Sequence, residues 1–214
     1  MQKENRKYYE AYEDRYKTAH EKGVSWEQMK NTPIVMDIIN RYHLHPEQSL
    51  LEIGCGEGRD SATVLENGFH LMAPDISPEA IDYCKKKMPD FESKFMVLDC
   101  LSSYLNEKFD FIYSIAVVHM FVLDEDRNGF YQFIRSHLKS DGIALICSMG
   151  DGNYEMQSDI SNAFEIQERE HESGKMMVAG TSCRMVSFST FENELLRNGL
   201  KISCLLYTSD AADE

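Results

Sequence analysis

Residues 49–60 read Ser-Leu-Leu-Glu-Ile-Gly-Cys-Gly-Glu-Gly-Arg-Asp, and this stretch decides the fold. Residues 49–53 form a short apolar run of strand length. Gly54, Gly56 and Gly58 follow at alternate positions, and a helix-forming segment then runs to about Asn67. Glycine lets the backbone bend sharply and lets a ligand approach with no Cβ in the way. The helix that follows offers free N–H groups in its first turn. Strand, bare turn and helix together open a βαβ unit.

The same alternation continues downstream. Short apolar runs at 69–73, 94–98, 109–115 and 143–149 predict four more strands. Ser77-Pro78-Glu79 predicts a helix start, with Ser as N-cap, Pro at the first helical position and an acid in the first turn. Asp124-Glu125-Asp126 opens another helix, reaching about Leu138. Such a chain folds as an α/β domain with a mainly parallel, doubly wound sheet and helices on both faces. Ligands of these sheets bind at the carboxyl ends of the strands, near the point where strand order reverses.

The whole chain, 1–214, is expected to form one domain. Residues 1–47 are polar with helical spacing and read as an N-terminal helical cap; Tyr8, Tyr12 and Tyr16 share one face, and a second helix spans about 32–42. Residues 48–149 are the core. Residues 150–183 lack clear strand character and read as an insertion, either covering a substrate or forming a surface loop. Residues 184–207 resume the pattern: a short run at 184–188, a helix with a Ser189–Glu192 capping box closed by Gly199, and a sixth strand at 201–207. Residues 208–214, TSDAADE, resemble translated adapter sequence and are expected to be non-native, with the natural C-terminus missing.

Composition narrows the function. The chain carries 22 Lys and Arg against 36 Asp and Glu, a net charge of −14, with no basic stripe. That argues against a nucleic-acid acceptor, whose recognition rests on basic side chains. The polar start is no signal peptide and no apolar run reaches membrane-span length, so a cytoplasmic location with no membrane partner is the expectation. Six scattered cysteines without a CxxC pair predict neither a disulfide framework nor a zinc site. Glu168, Glu170 and His171 match no common ligand spacing and read as a solvated charged helix, so no metal is expected.

The glycine spacing carries the chemistry. A dinucleotide loop requires GxGxxG, but the position three beyond Gly56 is Arg59, and the third glycine falls at Gly58. With Glu52 ahead of it, the GxGxG loop resembles motif I of the class I S-adenosylmethionine-dependent methyltransferases, which have a Rossmann-like fold. Asp75 ends the second strand, where a carboxylate can accept both hydroxyls of a ribose. By the resemblance, Asp99 after the third strand binds the adenine amino group, and Ile76 and Cys100 flank the nucleoside. Ile115 in Ser114-Ile115-Ala116 packs against the cofactor, and Glu52, Gly54, Cys55, Gly56 and Gly58 form the cofactor loop. The resemblance covers residues 49–149 and, more loosely, 184–207. GCGEGRD with Trp26 and the tyrosine-rich start is most similar to bacterial small-molecule methyltransferases of the tellurite and thiopurine type, although the tyrosines and Trp26 also read as helix packing. In the family a seventh, antiparallel strand completes the sheet, and here it is expected to be missing.

The implied function is methyl transfer from S-adenosylmethionine to a small-molecule acceptor, with the oligomeric state unread. His119, in AVVHMF after the fourth strand, is the candidate base, with a packing histidine as its plainer reading. Two alternatives stay open: an aminopropyl transferase or other adenosine-cofactor enzyme, and a non-catalytic binding module. The first normally carries acids at the end of the fourth strand, where SIAVVHMF has none.

Overall fold

The computed structural model describes residues 6–26 and 31–206. The expected non-native tail at 208–214 and the last residue of the expected sixth strand lie outside them. The centre is a five-stranded parallel sheet in the order β3-β2-β1-β4-β5. Its strands are β1 Ser49–Glu52, β2 His70–Asp75, β3 Phe95–Val97, β4 Phe109–Ile115 and β5 Leu138–Cys147. The chain steps outward from β1 to β2 and β3, then returns to lay β4 on the other side of β1. Strand order therefore reverses beside β1, directly under the glycine turn.

The register explains the two cores. Leu50 lies beside Leu71 and Phe111, and Leu51 beside Met72 and Ile112. Successive strand side chains point to opposite faces. Leu50, Leu71 and Phe111 therefore pack with α2 Pro33–Arg41, α3 Arg59–Glu66 and α4 Pro78–Lys87. Leu51 and Ile112 pack with α5 Asp124–His137 and α6 Phe188–Arg197 on the other face. Parallel strands buried on both faces read as continuous apolar runs, which is why β1 and β4 are legible in the sequence.

Helix starts follow their caps. The Ser77 hydroxyl accepts from Ala80 N at 3.1 Å and opens α4. The Ser189–Glu192 capping box does not open α6. Ser187 does, accepting from Thr190 N at 3.2 Å. The earlier start has a cause: Glu155 Oε1 accepts from Ser187 N at 3.1 Å, Ser187 Oγ at 2.5 Å and Thr190 Oγ1 at 2.6 Å.

Three expectations beyond the core are corrected. Residues 150–183 do contain strands: β6 Met156–Gln157, and a hairpin of β7 Ile166–His171 with β8 Gly174–Ala179. Glu168, Glu170 and His171 are thus on a strand and not on a helix, and Glu168 pairs with Lys175 across the hairpin at 2.6 Å. The run at 184–188 forms only β9 Arg184–Met185, which pairs antiparallel with β6 outside the central sheet. Residues 201–206 form no strand. Ile202 packs against the α5 core while 203–206 are exposed, so no edge supplies the ladder a strand needs. Among the described residues the central sheet has no antiparallel member.

The N-terminal helix α1, Ala11–Glu21, holds the hairpin. Ala19 packs with Met176 and Val178 of β8, with Val24 and Trp26 alongside. Arg15 Nη2 donates to Ala179 O at 2.9 Å. Val178 is fully buried, whereas its neighbour Met177 is 53% exposed. Val178→Ala is therefore expected to cost about 2 kcal/mol in a denaturant titration. Met177→Ala should cost about 0.5 kcal/mol or less. Equal costs would contradict this packing.

Candidate active site

The glycine turn is held by geometry and by neighbours. Gly54, Gly56 and Gly58 have φ of +75°, +53° and +79°, the left-handed region that side chains disfavour. A Cβ on Gly54 would lie 2.4 Å from Val117 Cγ2, and one on Gly58 would lie 2.6 Å from Met88 Cε. Gly54 N and Cys55 N both donate to Pro74 O, at 3.0 and 3.1 Å, which ties the turn to the end of β2.

Asp75 stands at that end. Gly56 N donates to its Oδ2 at 2.9 Å and Ser77 N to its Oδ1 at 2.8 Å. Burial raises its carboxyl above the usual range, against the pull of these N–H groups. Ile76 follows, partly buried against the α5 core.

Glu52 lies beneath the turn, 3% exposed. It accepts from Tyr113 OH at 2.9 Å and from the Ser61 hydroxyl, joining β1 to β4 and α3. Cys55 turns its thiol into the core, where it lies 3.3 Å from Ala73 O, so only its backbone borders the turn.

Asp99 sits two residues past β3 and is well supplied with donors. Its Oδ2 takes Lys7 Nζ at 2.5 Å and Ser102 Oγ at 2.9 Å, and its Oδ1 takes Leu101 N at 2.9 Å. Burial pushes its pKa up, but Lys7 and the other donors outweigh that and leave it below the usual carboxylate range. Cys100 beside it packs against the α5 core, and burial raises its thiol pKa. A cleft of about 670 Å³ opens at this point, lined by Lys7, Tyr8, Tyr9, Leu101, Leu123 and Ile160.

The N-terminal segment crosses all four strand ends. Lys7 reaches Asp99 after β3. Glu13 Oε2 accepts from Ser77 Oγ at 2.5 Å and Glu79 N at 3.1 Å after β2. The two ring nitrogens of His20 lie 2.7 Å from Glu57 of the glycine turn and 2.7 Å from Glu79. Trp26 N also donates to Glu57, at 2.9 Å. After β4, Tyr8 OH accepts from Val122 N and Leu123 N and donates to Asp126 at 2.5 Å.

The segment after β4 is bent as well as clamped. Ile115 packs against the α3 core. Ala116 then takes φ of +56°, rare for a residue with a Cβ. His119 follows in a short 3-10 turn, Val118–Met120, and is 4% exposed. Its Nδ1 is sealed off without a partner, and no hydrogen bond joins either ring nitrogen to a described residue. Burial, and then the charge of Arg127, push its pKa down to about 4. At neutral pH the ring is uncharged.

The structure brings the predicted residues to one edge: Glu52 at the end of β1 with Gly54 to Gly58 in the turn, Asp75 ending β2 with Ile76 beyond it, Asp99 and Cys100 after β3, and Ile115 ending β4 with His119 beyond it. The contributions of Lys7, Glu13 and His20 escape a sequence reading. Each joins residues dozens of positions away, and none stands in a motif. The tyrosine face is mostly packing, as expected, with Tyr16 buried and Tyr8 bonded across the site.

The methyltransferase-domain family matches residues 51–146. A malonyl-[acyl-carrier protein] O-methyltransferase of Acetivibrio thermocellus is 28% identical over 126 residues, 58% of this chain and 42% of that protein. A protein of the same description from Anoxybacillus flavithermus is 34% identical over 76 residues, 34% of this chain and 29% of that protein. The chain thus spans less than half the length of these curated relatives. Among solved structures, an S-adenosylmethionine-dependent methyltransferase from Clostridium acetobutylicum superposes with a TM-score of 0.60, at 16% identity, over 87% of this chain and 85% of that one. The glycopeptide N-methyltransferase MtfA with S-adenosylmethionine gives 0.63 at 15% identity, over 86% and 90%. Among the described residues, no helix is long and apolar enough to cross a membrane. Residues 51–146 thus match the methyltransferase-domain family, and the fold is that of the solved S-adenosylmethionine-dependent methyltransferases on which the chain superposes.

Proposed function

We propose that this chain transfers a methyl group from S-adenosylmethionine to a small-molecule acceptor, with no nucleic-acid or membrane partner and in the cytoplasm. One observation carries the reading. The Asp75 carboxylate is pinned by backbone N–H groups of Gly56 and Ser77 beside a glycine turn, with that of Ile76 adding to the pull, and its two oxygens offer four acceptor sites in all. An ionised carboxylate only accepts, so the pair of oxygens suits a vicinal diol, as in ribose. The residues fit the nucleoside: Asp75 for the diol, Asp99 for the adenine amino group, Ile76, Cys100 and Ile115 around the rings, and the backbone of Gly54 to Gly58 along the remainder. Glu52 supports the turn from below through Tyr113 and Ser61. The Lys7–Asp99 pair is half exposed on the lysine side, and such a pair contributes under about 1 kcal/mol. It can share Asp99 with a nucleobase or yield to it.

The bound cofactor would supply a methyl group on a sulfonium, already activated toward a nucleophile. The chain's own task is positioning and exclusion of water. His119 lies on the acceptor side as an uncharged imidazole that holds a hydrogen bond to the acceptor. Taking up a full proton there is opposed by burial and by Arg127, which favours an orienting role over that of a stored base. Residues 150–183, with their hairpin packed on α1, cover the acceptor. The names of the similar proteins include an O-methyltransferase and an N-methyltransferase, and the acceptor atom here is the quantity a screen should identify first.

S-adenosylhomocysteine at 100 times its Kd should stabilise the fold by about 2.7 kcal/mol, read as a rise in Tm. Asp75→Asn should weaken its binding about 10- to 100-fold in calorimetry, the loss of hydrogen bonds to a charged group. Wild-type affinity in that variant would refute the diol assignment. Gly56→Val should abolish binding, because a β-branched residue is strained at φ of +53°. His119→Gln should leave S-adenosylhomocysteine affinity unchanged while kcat/KM for the acceptor falls by about tenfold or more.

A further inference from the structure

The segment after β4 is fastened from four other elements, and Arg127 of α5 sits at the centre of the fastening. Arg127 is 1% exposed. Its Nε and Nη2 grip the Glu194 carboxylate of α6 at 2.8 and 2.6 Å. Its remaining nitrogen, Nη1, donates to Val118 O at 2.8 Å and to Phe121 O at 3.4 Å, the carbonyls on either side of the His119 turn. Met120 O takes Ser182 Oγ at 2.8 Å, and Val122 O takes Arg184 Nη1 at 2.7 Å. Every carbonyl from 118 to 122 except that of His119 is therefore held by a side chain, while no hydrogen bond joins the imidazole to a described residue. Val117, one residue from this clamp, is the side chain that a Cβ on Gly54 would meet. His119 thus stands between the cofactor turn and residues 150–183.

A buried polar ring without a partner is rare, because leaving a hydrogen bond unmade costs about 1–3 kcal/mol. A chain that spends a bidentate Arg–Glu pair on fixing the flanking carbonyls, and none on the ring, keeps the ring for something else. We propose that Arg127 is a positioning residue for the acceptor: braced by Glu194, it fixes the 118–121 backbone and so presents His119 to the bound acceptor with its ring bonded to no described residue. This rests on the functional reading above and adds a residue to it. The charged and titratable groups converging on the segment are Arg127 and Tyr131 from α5, Asp124 and Asp126 at its start, Glu194 from α6, Arg184 from β9 with Cys183 before it, and Tyr8 from the N-terminal segment. Of these, Arg127 is the cation whose charge bears on the ring, and it keeps His119 uncharged. The bidentate fork is what permits both jobs, since lysine would carry the charge but not grip a carboxylate and two carbonyls together.

Side-chain NMR of the full chain with labelled histidine tests this without an identified acceptor, using His119→Gln to assign the signal. In the wild type, His119 should stay neutral down to a midpoint of about 4. In Arg127→Met/Glu194→Met, which replaces the pair with apolar side chains of similar length, that midpoint should rise, because of the two charges removed Arg127 is the one that bears on the ring. If that variant fails to fold, Arg127→Lys is decisive alone: its charge remains but its fork is lost, so the midpoint should stay low while the His119 resonance broadens or splits. A His119 signal with wild-type midpoint and line shape in the folded variants, with only a lowered Tm, would make Arg127 an ordinary buried ion pair and overturn the proposal. Calorimetry with S-adenosylhomocysteine on the wild type separates the two levels. Binding with an unmoved His119 overturns this inference alone, and no binding overturns it together with the functional reading.

Discussion

The arrangement at the sheet edge depends on one carboxylate held by two backbone N–H groups. Asp75 takes its hydrogens from Gly56 and from Ser77, so it fixes the glycine turn of one βαβ unit to the helix start of the next. The turn can reach it only because Gly54, Gly56 and Gly58 all adopt left-handed φ. Ser77 is drawn into the same place twice over, since its hydroxyl both caps α4 and meets Glu13. Bonds of this kind are short, charge-assisted and shielded from water, which makes them stronger than their neutral counterparts. Removing the carboxylate would strand buried donors as well as empty the site.

Around that point the molecule is built as layers of increasing sequence separation. The strands and their glycines are local and set the edge. The N-terminal segment then crosses the edge and touches the residues after β1, β2, β3 and β4 in turn. The hairpin β7–β8 leans on α1, and so joins the far part of the chain to the near side of the cleft. On the opposite side Arg127 and Glu194 close α5 and α6 onto the segment that carries His119. The Asp75 side of the edge and the His119 side are thus fastened by different side chains, and the N-terminal segment runs along both.

Legibility followed the range of the interactions. β1, β2 and β4 could be read because strands buried on both faces are nearly continuous apolar runs. The carboxylates at 75 and 99 could be placed for the same reason, since a strand end fixes where the next residue points. The hairpin was hidden because β7 reads IQEREH, with charge at three of its six positions, and only Met176, Val178 and Ala179 of β8 are deeply buried. The sixth strand was misread from KISCLLY because apolar composition does not supply a neighbouring edge to pair with. The α6 start was misplaced by two residues because Glu155, more than thirty positions away, selects Ser187 over Ser189. Lys7 and His20 carry no local signature, and their partners are visible only once the chain is folded.

The most direct measurement is a crystal structure of the chain soaked with S-adenosylhomocysteine. The expected result places both ribose hydroxyls on the two oxygens of Asp75, with the adenine amino group at Asp99 and Lys7 either sharing that carboxylate or displaced from it. A nucleoside bound elsewhere, with Asp75 still meeting only backbone N–H groups of its own chain, would contradict the central claim.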